Sequence, residues 1–246
     1  MSDPSVVRRA RPLLGTLVEI GAVTIDGASQ ATVDAVDAAF ARIEALQERL
    51  SRFIDASDIG RFNAAPADAC IDVGDDARAV LRAAAALRDA SDGAFDVTLG
   101  SGARAWRLDD RGVHKFGDAV RIDLGGIAKG HAVDCAVATL EACGVASGWV
   151  NAGGDLRAFG DLAVPIELRD EVAGGVRRFA TIEDGAFATS RREAADGVAR
   201  HASVAAPRCL WADALTKVVV ATADAGHPLL ERFGARAWLH DSPGNA

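Results

Sequence analysis

The stretch Ile122-Asp-Leu-Gly-Gly-Ile-Ala-Lys-Gly-His-Ala-Val-Asp134 is the most informative part of this chain. It predicts an apolar strand that ends in an acid, Asp123, followed by two glycines and a helix over 127–143. Gly125 and Gly126 allow the backbone to approach a ligand closely. The helix start offers unpaired N–H groups and a partial positive charge, both of which suit a phosphate. The stretch therefore predicts a phosphate-binding turn, with a purely structural tight turn as the alternative.

Lysine is rare in this chain, so each lysine calls for a reason. Among the 27 Lys and Arg residues, only Lys115, Lys129 and Lys217 are lysines. Lys129 lies in the first turn of the predicted helix, where its charge opposes the helix dipole. A compact ammonium is not equivalent to a planar guanidinium. We therefore expect Lys129 to face a phosphate, with a solvated lysine as the alternative.

A second glycine pair lies in the stretch Val150–Arg157, VNAGGDLR. Gly153-Gly154 between two predicted strands indicates a hairpin turn. Asn151 and Asp155 flank this turn and could bond either to a ligand or to the turn itself. The hairpin turn is the favoured interpretation.

A carboxylate and a hydroxyl share one helix face in the stretch Ala212–Val218, ADALTKV. Asp213 and Thr216 are three residues apart within a predicted helix over 210–222. With a backbone carbonyl from elsewhere they would suit Mg²⁺, which prefers oxygen ligands and keeps several waters. Capping of the helix by Asp213 is the alternative.

The remaining patterns predict helices mainly in the first half and strands mainly in the second. The other predicted elements are a strand or hairpin arm over 12–25, helices over 29–53 and 75–91, two short strands over 112–123, successive strands over 148–206, and a short helix and final strand over 226–240. In the first helix, apolar residues at steps of three and four predict one buried stripe: Val33, Val36, Phe40, Ile43, Leu46, Leu50 and Phe53. This order favours the α+β class, with helices packed on mostly antiparallel sheets. We expect a single domain over 1–246, helix-rich over 1–145 and strand-rich over 146–246.

Bulk composition excludes several classes of protein. A net charge of -8 over 246 residues argues against a nucleic-acid binder. No segment has the apolar length of a membrane span, and the first twelve residues lack the apolar core of a secretory signal, which predicts a cytoplasmic protein. The Walker A and GxGxxG signatures are both absent. The four cysteines form no CxxC pair and are predicted to be small core residues, with metal or redox chemistry as the weaker alternative.

Taken together and in order, these stretches resemble the FAD:protein FMN transferase family, also called ApbE. The resemblance covers nearly the whole chain. Its motifs are LLGT at 13–16, SRF at 51–53, SDIGRFN at 57–63, GAFDVTLG at 93–100, IDLGGIAKGHAVD at 122–134, VNAGGDLRAFG at 150–160, ATS at 188–190 and ADALTK at 212–217. Each motif alone is weak, but the full series at these separations is specific.

The resemblance implies a T-fold-like architecture and an enzyme that uses FAD and Mg²⁺. Such proteins transfer FMN from FAD to a Thr or Ser hydroxyl of a partner redox flavoprotein and release AMP. The matching positions, together with Lys129 and the second glycine turn, form the predicted FAD site: Leu14, Phe53, Asp96, Val97, Thr98, Asp123, Lys129, Asn151, Gly153 and Gly154. The implied metal set is the carbonyl of Gly126 with Asp213 and Thr216. Relatives more often read D-A-L-A-T here, which places the threonine one residue further along.

The attacking hydroxyl needs a base, and Asp123 or a histidine would serve. Between the ATS and ADALTK motifs, relatives carry a loop by the active site that reads H-x-x-D-P-x-T-G-x-P. In this chain the interval is only Arg191 to Trp211, and His201 within it is the candidate to replace the histidine of that loop. Two alternatives to the transferase stay open: an FAD pyrophosphatase, with water as the acceptor, and an FAD-binding protein without chemistry.

Overall fold

A computed structural model describes residues 5–24, 29–169, 174–193 and 199–240. Its helices are α1 (Gln30–Leu50), α2 (Asp58–Ala64), α3 (Asp75–Ala90), α4 (Ala128–Ala142), α5 (Cys209–Thr222) and α6 (Leu229–Arg232). Its strands are β1 (Ser5–Leu13), β2 (Thr16–Thr24), β3 (Cys70–Ile71), β4 (Trp106–Asp109), β5 (Gly112–Lys115), β6 (Gly148–Ala152), β7 (Asp155–Arg169), β8 (Val176–Glu193), β9 (Ala199–Ala206) and β10 (Arg236–His240). None of the helices in these ranges is long and apolar enough to cross a membrane.

The main sheet is antiparallel throughout and has the strand order β1-β2-β6-β7-β8-β9-β10. β1 and β2 form a hairpin, and both residues of its turn, Leu14 and Gly15, have a positive φ (56° and 71°), as in hairpin turns of type I′. β2, from the helix-rich half of the sequence, pairs with β6 from the strand-rich half. The two halves therefore share one sheet, and the predicted α+β class with mostly antiparallel sheets is confirmed.

Helices α1, α4 and α5 cover one face of this sheet. Val18, Ile20 and Ala22 alternate along β2 and are fully buried beneath the helices, as the two-residue period of a strand with one buried face requires. The predicted stripe on α1 packs into the same core through five of its members, Val36, Phe40, Ile43, Leu46 and Leu50. Phe53 was predicted to lie on that stripe, which is wrong, because α1 ends at Leu50 and the Phe53 ring is 78 % exposed.

The other face of the sheet carries a second apolar cluster, formed mainly by β7 and β8. Its buried members are Leu156, Ala158, Val164, Ile166, Leu168 and Phe187. Ala186 and Ala188 belong to the helix-side core, so Phe187 between them points to the opposite face. A register shift between Ala158 and Ala163 interrupts the pairing of β7 with β8, and such irregularities bend a strand pair.

Lys115 ends β5, the central strand of a small three-stranded sheet in the order β3-β5-β4. Its side chain is fully buried. Nζ donates to the carbonyls of Phe62 (3.3 Å), Asn63 (3.2 Å) and Ala65 (2.6 Å) at the carboxyl end of α2. Because a helix leaves its last carbonyls unpaired and negatively polarised, a buried ammonium stabilises this end. Lys115 therefore has a structural role at the carboxyl end of α2.

The two short strands predicted over 112–123 are only partly observed. Residues 112–115 form β5, but the strand that pairs with it in a hairpin, β4, precedes it in the chain. Ile122 was predicted to lie in a strand, which is wrong: its N–H donates to Asn63 Oδ1 (2.7 Å), and its carbonyl accepts from Asn63 Nδ2 (2.9 Å). Because one amide side chain satisfies both backbone groups, the segment is extended without a strand partner. The helix that follows begins at Ala128, within one residue of the prediction.

The cysteines do not all lie in the core as predicted. Cys209 is buried and Cys135 is half-buried, whereas Cys70 and Cys143 are exposed, and all four are free thiols. Cys143 follows the last residue of α4 as its C-cap, outside the helix that buries part of Cys135. The prediction is therefore wrong for Cys70 and Cys143.

Candidate active site

A cleft with two adjoining pockets lies around the segment that follows Ile122. The first pocket has a volume of about 380 Å³ and the second a volume of about 260 Å³. Asp123 and Gly125 line both pockets and so form their junction. The first pocket is otherwise walled by the β1–β2 turn, the carboxyl end of α1 and the start of α4, and the second by the turn at 94–99 with Gly126 and Lys217.

The first pocket combines a strained turn with an exposed aromatic ring. Leu14 has the left-handed φ of 56°, and its N–H donates to Gln47 Oε1 at 2.5 Å. A non-glycine residue in that region costs about 1–3 kcal/mol and is typical of functional sites. The Phe53 ring lies at the mouth of the pocket, with the Arg52 guanidinium 4.2 Å from its centroid. This pocket therefore offers an accessible aromatic face beside an apolar wall.

Asp123 is held at the junction by contacts in three directions. Its Oδ2 lies 2.9 Å from Arg52 Nε, and its Oδ1 accepts the Gly125 N–H at 2.8 Å. Its own N–H donates to the carbonyl of Val97 at 2.8 Å. These contacts tie the two pockets together and leave the carboxylate partly exposed to the cleft.

In the second pocket, hydrogen bonds between Asp96 and Thr98 stabilise the turn at 94–99. The Asp96 carboxylate accepts the Thr98 N–H (2.9 Å), the Thr98 Oγ1–H (2.8 Å) and the Gly100 N–H (3.2 Å). Thr98 is buried, whereas Val97 and Leu99 line the pocket together with Asp96. Leu99 has the left-handed φ of 50°, so both pockets carry a strained non-glycine residue.

Two lysines that line the cleft pair with two buried aspartates behind it. Lys129 Nζ bonds to Asp155 Oδ2, and Lys217 Nζ bonds to Asp213 Oδ1 at 2.5 Å. Burial and the neighbouring Asp213 raise the pKa of Asp155 to about 6, although Lys129 and Lys217 act in the opposite direction. Burial lowers the pKa of Lys129, but the carboxylates of Asp155 and Asp213 outweigh it and raise that pKa overall. Lys129 also lines the first pocket, and its contact with a phosphate stays a prediction.

A model of the ApbE family matches residues 14–119 and 107–194, which together make up well over half of the chain. The chain belongs to the ApbE family. Two solved structures described as flavin transferases resemble it along most of their length. The flavin transferase ApbE from Vibrio cholerae is 20% identical, with a TM-score of 0.81, and the match covers 96% of this chain and 93% of that one. The flavinyl transferase ApbE from Pseudomonas stutzeri, in its apo form, is 25% identical, with a TM-score of 0.80 and coverage of 98% and 92%.

A third ApbE structure, from Thermotoga maritima, is 23% identical, with a TM-score of 0.81 and coverage of 96% and 94%. No curated protein matches the chain significantly. The ApbE fold of this chain is thus established by likeness to whole chains rather than to a fragment.

The predicted metal set of this ApbE chain does not fit a Mg²⁺ site. Asp213 is fully buried, and its two carboxylate oxygens are used by Lys217 Nζ and by the Gly130 N–H (3.1 Å). Thr216 Oγ1 donates to the carbonyl of Asp213 at 2.6 Å. A Cβ built on Gly126 would lie 3.3 Å from Lys217 Cε, so the lysine stem crosses Gly126. The ammonium therefore stands where the ligands of the ion were predicted to converge.

Asp213 does not cap a helix either, since it is the fifth residue of α5. Asp134 on α4 provides that cap, because its carboxylate accepts the N–H groups of Cys209 (2.9 Å) and Leu210 (3.0 Å). The alternative assigned to Asp213 is thus wrong, and the capping group comes from another helix.

The second glycine turn is the predicted hairpin turn, between β6 and β7. Gly153 and Gly154 both have a positive φ (66° and 103°), and Asn151 Oδ1 accepts the Gly154 N–H at 2.9 Å. A Cβ on Gly153 would overlap the side chain of Thr16, so this turn lies against the start of β2. Asn151 and Gly154 line a different pocket of about 720 Å³, which lies on the outer face of the sheet and is walled mainly by β7.

His201 also lines that outer pocket, which shares no lining residue with the cleft. It lies in β9 opposite Arg191 of β8, and its ring centroid is 4.6 Å from that of His240. The structure therefore does not bring His201 to Asp123, and the geometry gives the catalytic assignment of His201 no support.

Four residues had no predicted role: Gln47, Arg52 and Lys217, which line the cleft, and Asn63, which holds the backbone of Ile122 beside it. Arg52 lies inside the SRF motif directly before Phe53, which was a predicted site residue, and Asn63 ends the SDIGRFN motif. Lys217 follows Asp213 by four residues, the spacing at which an acid and a lysine meet on a helix. That spacing was the available signal for the pair.

A second group of possible metal ligands, Asp76, His131 and Cys135, lies on α3 and α4. Arg42 occupies it: its guanidinium bonds both oxygens of Asp76 (3.0 and 2.5 Å) and lies 3.8 Å from Cys135 Sγ. Burial lowers the pKa of His131, although Asp76 acts against this effect. An arginine cation within the group disfavours a second cation, so we assign this cluster a packing role between α1, α3 and α4.

Proposed function

We propose that this chain binds FAD in the two-pocket cleft and transfers its FMN part to a Ser or Thr hydroxyl of a partner redox protein, releasing AMP. The observation that carries the proposal is the meeting of the two pockets at Asp123. A ligand with a flat ring at one end and a pyrophosphate in its middle requires adjoining pockets of different chemistry. The family membership and the activities ascribed to the Vibrio cholerae and Pseudomonas stutzeri proteins support it.

The first pocket suits the isoalloxazine ring and the second suits the pyrophosphate. Phe53 presents an exposed ring for stacking, and Leu14 supplies an apolar edge. The backbone at Gly125 and Gly126 can approach the phosphates closely because it carries no side chains. Lys217 brings a positive charge to the same pocket. Preorganised charge of this kind stabilises the transition state of phosphoryl transfer.

In the transfer, the acceptor hydroxyl oxygen forms a bond to the phosphorus of the FMN part, and the bond from that phosphorus to the AMP oxygen breaks. AMP leaves with the bridging oxygen. The hydroxyl proton goes to Asp123, whose partly exposed carboxylate lies at the junction of the pockets. Because the Arg52 guanidinium contacts Asp123 Oδ2, it also orients this carboxylate. Mg²⁺ is not part of the proposal, since the Lys217 ammonium already holds the Asp213 carboxylate.

The test is to incubate the protein with FAD, with and without a redox protein that carries an acceptor hydroxyl. Covalent FMN on the partner, seen as in-gel flavin fluorescence and by mass spectrometry, together with AMP, is the expected result. Free FMN and AMP without a partner would instead establish the pyrophosphatase. FAD bound intact, with no AMP under any condition, would overturn both enzymatic functions. The cytoplasmic location stays a prediction.

Phe53→Ala is expected to weaken FAD binding roughly tenfold, because stacking on one aromatic ring contributes about 1–3 kcal/mol. Quenching of FAD fluorescence on titration with the apo protein measures the affinity. Phe116→Ala is the matched control, since Phe116 is also an exposed ring (49 %) but lines neither pocket of the cleft. Equal affinities for the two variants would place the flavin ring elsewhere.

A further inference from the structure

The second pocket contains a cation that belongs to the chain itself. Lys217 Nζ lies 2.5 Å from Asp213 Oδ1, and the lysine side chain is 18% exposed. Asp213 is its hydrogen-bond acceptor among the described residues, so an ammonium with three N–H groups keeps donors for a ligand in the pocket. Lys217 lines this pocket together with Asp96, Gly125 and Gly126.

The groups around Lys217 balance its charge without any further cation. Asp213 and Asp155 carry two carboxylates, and Lys217 and Lys129 carry two ammonium groups that pair with them. A Mg²⁺ ion needs near-octahedral oxygen ligands at about 2.0–2.1 Å. At this place it would have to displace Lys217 from Asp213 and take the carboxylate that the Gly130 N–H also holds. An ammonium kept beside the ion would repel it.

Lys217 occupies the sequence position at which this chain differs from relatives that are expected to bind Mg²⁺. Relatives that read D-A-L-A-T have a hydroxyl four residues after the aspartate, whereas this chain has Lys217 there. Residues four apart on a helix lie on the same face. At that position the long Lys217 side chain reaches the Asp213 carboxylate, so this chain has a positive charge where those relatives have a hydroxyl.

We propose that the Lys217 ammonium is the resident cation of the second pocket and binds the pyrophosphate directly, so that this chain binds FAD without a divalent metal. The inference rests on the proposed function for the identity of the ligand. The contact between Lys217 and Asp213 orients the ammonium, and Asp213 is in turn oriented by the Gly130 N–H. Lys217 is thus a binding residue, and Asp213 is a positioning residue rather than a metal ligand.

The first arm of the test measures FAD affinity by fluorescence titration of the apo protein, in EDTA and in excess Mg²⁺. Wild-type affinity is expected to agree within about twofold between the two buffers. Lys217→Met is expected to lose roughly tenfold to a hundredfold in affinity, the range for a hydrogen bond to a charged group. Lys217→Thr is expected to bind weakly in EDTA and to regain affinity in Mg²⁺. Wild-type binding that requires Mg²⁺ would overturn the proposal.

The second arm needs no FAD and uses Mn²⁺ as the probe, followed by electron paramagnetic resonance. Lys217→Thr is expected to gain a Mn²⁺ site, and Lys217→Thr/Asp213→Asn is expected to lose it again. Wild-type protein that binds Mn²⁺, and loses this binding in Asp213→Asn, would overturn the proposal. If the wild type binds no FAD in either buffer, the proposed function fails, while this arm still decides the role of Lys217.

Removing Lys217 leaves a buried carboxylate unpaired, which can prevent folding. For this reason Lys217→Met/Asp213→Asn is prepared in parallel, because it removes both charges together. Its FAD affinity is expected to fall as in Lys217→Met, with circular dichroism confirming the native fold. Wild-type affinity in this double variant would show that the ammonium does not contact the ligand.

Discussion

Asp134→Ala is expected to lower the free energy of unfolding by about 4 kcal/mol. Asp134 lies on α4, its side chain is 4% exposed, and its carboxylate contacts two backbone N–H groups and the guanidinium groups of Arg157 and Arg208. It accepts the first N–H groups of α5, from Cys209 and Leu210, and Arg157 Nη1 at 2.8 Å. The loss of a helix cap costs about 1–2 kcal/mol. The substitution also leaves the mostly buried Arg157 guanidinium without its carboxylate, and this larger penalty accounts for the rest.

Equilibrium unfolding in urea measures this effect through the shift of the midpoint at constant slope. Asp37→Ala is the matched control, because Asp37 is an acid on the neighbouring helix α1 whose side chain is 41% exposed, and its partners Arg9 and Arg11 are 41% and 42% exposed. Exposed ion pairs contribute about 0–1 kcal/mol, so the control should be close to the wild type. A loss below about 1 kcal/mol for Asp134→Ala would show that α5 does not depend on this cap.

Gly130→Ala is expected to destabilise the protein by about 3 kcal/mol, although alanine is the better helix former. A Cβ at this position of α4 would overlap the carbonyl of Cys209 and lie 2.9 Å from Asp213 Cβ. The gain in helix propensity is about 1 kcal/mol, which is smaller than the cost of moving the backbone of a packed helix. Since the Gly130 N–H donates to Asp213, separation of α4 from α5 would also displace Asp213 and Lys217.

Thermal unfolding checks this result, with an expected fall of roughly 6–12 °C in the melting temperature for a chain of this size. Gly185→Ala serves as the control, because a Cβ there would meet Ile182 and Glu183 at ordinary distances of 3.4–3.5 Å. A Gly130→Ala protein that melts with the wild type would contradict the close approach of α4 and α5. FAD affinity measured in the same variant links this packing contact to the second pocket.

The predictions that the structure confirms depended on local sequence patterns. The apolar stripe predicted for α1 repeats every three to four residues, and the helix predicted after Gly126 begins at a glycine pair. The observed bounds of α1 and α4 lie close to the predicted ranges. The hairpin at Gly153-Gly154 was also correctly predicted, because the turn needs a positive φ that glycine adopts without strain. The strand predicted at Ile122 failed, since the Asn63 side chain, 59 residues away, satisfies its backbone.

The sequence by itself determined the family and the fold class, because these follow from ordered motifs and from local periodicity. Only the tertiary structure decided which groups meet across the chain: Asp134 caps α5, Lys129 pairs with Asp155, and the Lys217 stem crosses Gly126. It also placed His201 on the far face of the sheet. Contacts between residues far apart in the chain depend on how α4 and α5 pack, and such packing leaves no periodic trace in the sequence. In the folded chain, Asp213 of the predicted metal set is paired with Lys217.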